Sequence, residues 1–219
     1  MPRPRFFKLE QQKRERILRA AAEALVQNGY DGASLNQIIE SAGISKGAVY
    51  YYFDDKADLL ATVMCDVFDR IASFDSIDVE SLDAHTFWPT IERWTLAALA
   101  VLAEDPMVMG LGKLFYQVPI QVFEGTVLFD KLAQAKALLE AFMRRGQEVG
   151  LIRDDLPLGL LMAVVAGAGE WSDRWMAEHF EELDPEEGLA VSLRLIDMAR
   201  AMLAPPSEAI PPAAQGEES

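Results

Sequence analysis

Residues 34–53 read SLNQIIESAGISKGAVYYYF, and the spacing within this stretch decides the fold. Ser34 followed three residues later by Gln37 is a capping-box pattern, in which two side chains reciprocally satisfy the free N–H groups of a helix start. The helix it opens carries Leu35, Ile38 and Ile39 on one side, and Gly43 closes it. Ser45 then stands as N-cap to a second short helix over 46–52. Two short helices around a glycine turn make a helix-turn-helix.

The flanks extend the same pattern. Upstream, 11–28 reads as a helix with Ile17, Ala20, Ala21, Ala24 and Leu25 on one face and Lys13, Arg14, Arg16 and Arg19 largely elsewhere, stopped by Gly29. Downstream, Asp54 and Asp55 end the second short helix, and Asp55 with Asp58 is an acidic cap for a longer one. In that helix Leu59/Leu60, Val63/Met64, Val67/Phe68 and Ile71 step by four along one face, linking the N-terminal part to the rest. A polar loop over 75–83 precedes helices expected at 86–103, 106–117, 126–149, 157–180 and 185–203, punctuated by Pro106, Pro119, Gly125 and Gly150. No segment alternates as a strand does, so the fold class is all-α.

Composition sets outer bounds. With 51% hydrophobic residues the chain can build a real core. The single cysteine, Cys65, permits no intrachain disulfide, and no basic-then-apolar leader is seen; both point to the cytoplasm. The longest uncharged run, between Asp155 and Glu170, is too short to span a bilayer, so no membrane partner is expected. The net charge of −15 is unevenly placed: residues 1–56 hold nine Lys or Arg against seven Asp or Glu, net +2, leaving −17 for the remainder. Because salt screens charge beyond about 8 Å, an acidic body does not forbid a polyanionic partner at the N-terminal end.

The stretch from Leu18 to Ala61 resembles the DNA-binding domain of the TetR (tetracycline-repressor-like) family. The resemblance is carried by Asp31-Gly32-Ala33-Ser34, by Ile38-Ile39-Glu40-Ser41-Ala42-Gly43-Ile44-Ser45-Lys46-Gly47, by Val49-Tyr50-Tyr51-Tyr52-Phe53 and by Lys56-Ala57-Asp58-Leu59-Leu60. It implies an N-terminal three-helix DNA-binding domain with helix-turn-helix and a larger α-helical C-terminal ligand-binding and dimerisation domain. The expected organisation is a basic arm over 1–10, the helix-turn-helix domain over 11–57, ligand binding and dimerisation over 58–204, and a disordered tail over 205–219. The implied activity is that of a ligand-responsive transcription regulator, a repressor released from a palindromic operator by a small, largely apolar effector. A DNA-silent ligand-binding or interaction protein on the same fold is the alternative.

Such a motif lays its second helix in the major groove. The resemblance implies that Ser34, Tyr50, Tyr52 and Lys56 contact phosphates, and that Asn36, Lys46, Gly47 and Tyr51 lie nearest the bases, with Ser45 and Ala48 in the same surface. Lys46 can donate to guanine or to a phosphate, and Gly47 lets the backbone come close. Three consecutive tyrosines cannot all pack inward with Val49 and Phe53, so at least two face out. Two positions depart from the family: Ala48 stands where a phosphate-contacting Thr is common and Tyr52 where His is frequent, which removes one backbone contact and lengthens another. Arg3, Arg5 and Lys8, interleaved with Phe6 and Phe7, form a basic arm able to reach phosphate or an adjacent minor groove.

A two-helix reader needs pairing to span half-sites about 34 Å apart, so a homodimer is expected. The last two helices are its candidates, with Ala163, Ala166 and Gly167 small enough for close approach and Leu189, Leu193 and Ile196 on an apolar face; internal packing would use the same residues. An effector pocket is expected among Phe68, Trp94, Phe115, Phe123 and Trp171, residues equally suited to an ordinary core. No enzyme is expected: His85 and His179 lack the spacing of a metal site, no nucleophile or phosphate-loop motif is present, and neither metal nor cofactor is called for. Cys65, with no basic neighbour until Arg70, reads as an inert thiol.

Overall fold

In the computed structural model, which describes residues 2–44, 49–71, 78–179 and 182–206, the chain is all-α, with no strand among the described residues. The elements are α1 (Pro4–Phe7), α2 (Gln11–Gly32), α3 (Leu35–Ser41), α4 (Val49–Tyr52), α5 (Lys56–Ile71), α6 (Phe87–Glu104), α7 (Pro106–Gln117), α8 (Val127–Glu148), α9 (Leu158–His179) and α10 (Pro185–Leu203). Short 3-10 turns at Val79–Ser81 and Ile120–Phe123 connect them. From α6 to α10 the expected boundaries fall within a residue of these, but α2 runs four residues past its expected end at Asn28, and the residues expected as a basic arm include the short helix α1.

Local chemistry explains several of the helix ends. The regular part of α2 stops at Gly29, whose φ of 68° no longer fits a right-handed helix, and one further turn carries the chain to Gly32. The Asp55 carboxylate accepts the Asp58 N–H at 2.8 Å, and the Asp58 carboxylate in turn accepts the Asp54 N–H at 3.1 Å, so the acidic pair caps α5. Asp58 is almost fully buried, and that desolvation raises its carboxyl above the usual range against the pull of the Asp54 bond. Asp184 and Glu187 form a complete capping box on α10. The corresponding Ser34–Gln37 box does not form: Ser34 is extended (φ −99°, ψ 123°) without a side-chain cap bond. Burial of Ile38 and Ile39 holds that seven-residue helix instead. Ser45, the other expected cap, lies outside the described residues.

Tertiary packing centres on α5. Every residue from Asp58 to Cys65 is buried, wider coverage than one apolar stripe requires, because α2 packs on one side while α6, α7 and α8 occupy others. The first interior joins Ile17, Leu25, Ile38, Ile39 and Phe53 to Leu59, Leu60 and Met64 and continues into Leu111, Leu114, Phe123 and Leu128. A second interior gathers Phe87, Trp88, Phe142, Met143, Ile152, Leu161 and Ile196 between α6, α8, α9 and α10. The N-terminal helices therefore share one core with α7 and the start of α8. Arg70 near the end of α5 adds an ion pair at 2.9 Å to Asp105, which also caps α7 through the Met107 N–H. No single helix among the described residues is long and apolar enough to cross a membrane.

The seam between α2 and α7 depends on one missing side chain. A Cβ on Gly110 would stand 2.7 Å and 3.0 Å from the two γ-methyls of Val26. Valine is stiff about χ1, so those methyls cannot swing clear cheaply. Gly110→Ala should therefore lower stability by about 1 kcal/mol, overpacking of roughly 1–3 kcal/mol outweighing a helix-propensity gain of about 1. In a Val26→Ala background the same change should stabilise. Urea melts of the four combinations check this sign reversal, and an unchanged sign would mean that the two helices are not in the contact described.

Candidate nucleic-acid interface

The short helices α3 and α4 are fastened from beneath and open above. On α3 the apolar pair Ile38 and Ile39 is fully buried, leaving Asn36, Gln37, Glu40 and Ser41 exposed. The turn after α3 bends at Gly43, where φ is 67°, a left-handed conformation that a side chain would strain. Ile44 locks it by donating its N–H to the Ile39 carbonyl at 3.0 Å and burying its side chain. Ser45, Lys46, Gly47 and Ala48 lie outside the described residues, so four of the expected contact residues have no placement here.

The tyrosines of α4 divide as their spacing requires. Tyr50 and Tyr51 are 54% and 47% exposed, whereas Tyr52 is buried and Phe53 fully so. Tyr52 packs edge-on against Tyr51 and Phe6, with ring centroids 5.3 and 6.4 Å apart. Its ring thus supports the motif from within, a different duty from the phosphate contact expected of it. Among the described candidates Tyr50, Tyr51 and Asn36 are exposed, and Ser34 and Lys56 are partly so.

Lys56 is likewise turned inward. Its ammonium donates to the carbonyls of Tyr30, Asp31 and Ala33 at 2.5, 3.3 and 3.2 Å and sits 4.5 Å over the Tyr30 ring. An ammonium has three donors, and three carbonyls at the end of α2 take them. Lys56, expected at a phosphate, here ties the start of α5 to the end of α2, where the helix dipole also favours a cation. Burial, followed by nearby Asp55 and Asp31, pushes the Tyr30 phenol above its ordinary pKa.

The N-terminal segment, expected as a basic arm, is packed onto α4. Phe6 is 1% exposed, 4.8 Å from the Phe53 ring. Arg3 donates its backbone N–H to the Tyr52 carbonyl at 2.8 Å, and its guanidinium meets Asp54 at 3.0 Å. The hydrogen bond from Arg3 holds the Asp54 carboxyl below the usual carboxylate range. Arg5 lies over the Tyr51 ring, 4.3 Å from its centroid. The only sequence signal for this docking was the apolar Phe6 amid cations.

Away from the motif, the five aromatic residues expected to line one pocket do not come together. Phe68, Phe115 and Phe123 pack in sequence, with centroids 5.8 and 6.1 Å apart. Trp94 belongs to the other interior, 5.1 Å from Phe142, and Trp171 is 70% exposed. Tyr116 links α7 to α9 by donating to Asp173 at 3.2 Å, and Arg174 lies over both Tyr116 and Trp171. Of the residues expected at a dimer contact, Ala163, Ala166, Leu189 and Leu193 are exposed and Gly167 is partly so, but Ile196 is buried inside its own chain. Leu160, Val164, Trp171 and Trp175 extend the exposed apolar surface of α9 at helical spacing. Burial pushes the Cys65 thiol up to about 11, which leaves it protonated and unreactive near neutrality. No group of three or more metal-ligating side chains occurs among the described residues.

Residues 17–63 match the family described as bacterial regulatory proteins, tetR family. The chain is similar to the HTH-type transcriptional repressor BepR of Brucella suis biovar 1, 26% identical over 171 residues, or 72% of this chain and 79% of that relative. It is also similar to the probable acrEF/envCD operon repressor of Escherichia coli K12, 22% identical over 71% of each. Among solved structures, the transcriptional regulator FadR of Bacillus subtilis in complex with stearoyl-CoA superposes with a TM-score of 0.70 at 17% identity, covering 85% of this chain and 97% of that one.

Lys56→Met keeps the aliphatic stem and deletes the ammonium. Because hydrogen bonds to a charged donor are worth about 1.5–3 kcal/mol, the variant should lose about 2 kcal/mol and melt roughly 4–8 °C lower. A thermal melt decides: wild-type stability would return Lys56 to the solvent-facing role its position in the motif suggested.

Proposed function

Because residues 17–63 match the tetR family of bacterial regulatory proteins, we propose that the chain works as a homodimeric repressor that reads a palindromic operator and leaves it when a small, largely apolar effector binds. The observation that carries the reading is the outward presentation of Asn36, Tyr50 and Tyr51 on two short helices anchored from beneath by buried Ile38, Ile39 and Tyr52. Side chains so placed can hydrogen-bond base edges and phosphates without unfolding anything. Ser34 and Tyr50 are assigned to phosphates, and Asn36, Lys46, Gly47 and Tyr51 to the bases, with Ser45 and Ala48 beside them.

The exposed apolar faces of α9 and α10 support pairing. Leu160, Val164, Trp171 and Trp175 recur at intervals that keep them on one side of α9, and Leu189 and Leu193 continue the surface on α10. Uncovered surface of this kind is what a twofold contact buries. For the effector, the Phe68–Phe115–Phe123 group lies where α5 meets α7, close to the helix that carries the reading head. The acyl chain of the stearoyl-CoA bound by the Bacillus subtilis neighbour is the kind of apolar group such aromatic walls accept. An effector that favours a different setting of α5 would move the two heads off successive major grooves, and a coupling of about 1–3 kcal/mol suffices. The working compartment of such a regulator is the cytoplasm.

Gel-shift titration with DNA from upstream of the protein's own gene, at two salt concentrations, should show a complex that weakens steeply with salt. Lys46→Ala combined with Tyr51→Ala should abolish preference for that DNA over a scrambled duplex; retained preference would move the reading surface elsewhere. Trp171→Asp with Leu193→Asp should convert the dimer into monomers on sedimentation and weaken operator binding with it. Wild-type mass in that variant would place the pairing surface on other helices.

A further inference from the structure

We propose that the N-terminal segment is a built part of the reading surface and that the Arg5 guanidinium, laid on Tyr51, contacts the DNA phosphate backbone at the edge of the major groove. The inference rests on the reading of α3 and α4 as the DNA-binding motif and adds to it a residue outside the motif.

A basic terminus left free in solution must be ordered when it binds, and that cost weakens its contribution. Here the ordering is done beforehand. Phe6 is inserted against Phe53 and Tyr52, and the Arg3 N–H closes on the Tyr52 carbonyl. Arg5, on the same turn, is thereby set 4.3 Å over the ring of a tyrosine that is half exposed on α4. Stacking on an aromatic face leaves the guanidinium edge and its N–H donors free to meet an anion.

The geometry also selects phosphate over base. An α-helix with its side chains is about 10–12 Å across and a B-form major groove about 12 Å wide, so α4 would fill the groove. A group held against the flank of that helix meets the groove wall, which is phosphate. Arg3, the neighbouring cation, is engaged by Asp54 and serves the surface by neutralising an acid at the same edge. Arg5 is therefore the segment's placed contact.

The test is a fluorescence-anisotropy titration over a salt series, using the upstream duplex and a random-sequence duplex. It compares wild type, Arg5→Ala, and Lys136→Ala, which removes one charge from exposed α8 far along the chain. Arg5→Ala should weaken binding to both duplexes by the same factor and reduce the slope of log affinity against log salt by about 1 per protomer bound. Lys136→Ala should keep the wild-type slope. Thermal melts run alongside: Arg5→Ala with weaker binding, a lower melting temperature and an unchanged slope would make Arg5 a structural brace and overturn the proposal. An unchanged affinity and slope would overturn it as well. Failure of wild-type protein to bind either duplex at low salt would instead strike the reading of α3 and α4, and this inference would fall with it.

Discussion

The burial of α5 on several sides at once constrains everything else in the molecule. Leu59, Leu60 and Ala61 are inaccessible to solvent, and Val63 and Met64 nearly so. Burying each of these leucine, valine and methionine side chains stabilises by about 1.5–3 kcal/mol, so the helix cannot shift without repacking its partners. Those partners are α2 at the head and α6, α7 and α8 in the body. One helix is thus shared by two structural regions, and the interior between Ile17 and Leu128 does not divide where a motif boundary would be drawn. Phe68 and Phe115 pack against the same interior that holds Ile38, Ile39 and Phe53.

Electrostatics at the head follow a second economy, in which several cations are committed internally before any partner arrives. Lys56 is spent on three carbonyls at the end of α2, and Arg3 on Asp54. The net +2 of residues 1–56 is unchanged by these contacts, since Arg3 and Asp54 cancel in pairs and carbonyls do not neutralise Lys56, but two cations have their donors already engaged. The acidic remainder of the chain makes that local arrangement more important, since approach to a polyanion depends on what lies within a screening length of the contact.

The outer surface of α9 and α10 carries the opposite message. Tryptophans at positions 171 and 175 and leucines at 160, 189 and 193 are all exposed there. The same surface explains why Trp171 was misassigned to an interior pocket: an amphipathic stripe specifies a buried face without saying whether its own chain or another buries it. Ile196, expected at that surface, instead completes the interior of Phe87, Phe142 and Leu161.

Helix positions, the glycine stops at Gly29 and Gly43, the acidic cap at Asp55 and the outward face of α4 were all legible from residue order, because each depends on neighbours three or four positions away. Inward commitments were not. Lys56 meets carbonyls some 23 to 26 residues distant, and Phe6 meets rings at positions 52 and 53. Periodicity reports which residues share a helix face; only the packing of helices remote in the chain decides what that face meets. Hence the all-α motif and its outward-facing tyrosines were determined by the sequence alone, while the contacts of Lys56, Tyr52, Phe6, Ile196 and Trp171 were decided by tertiary packing.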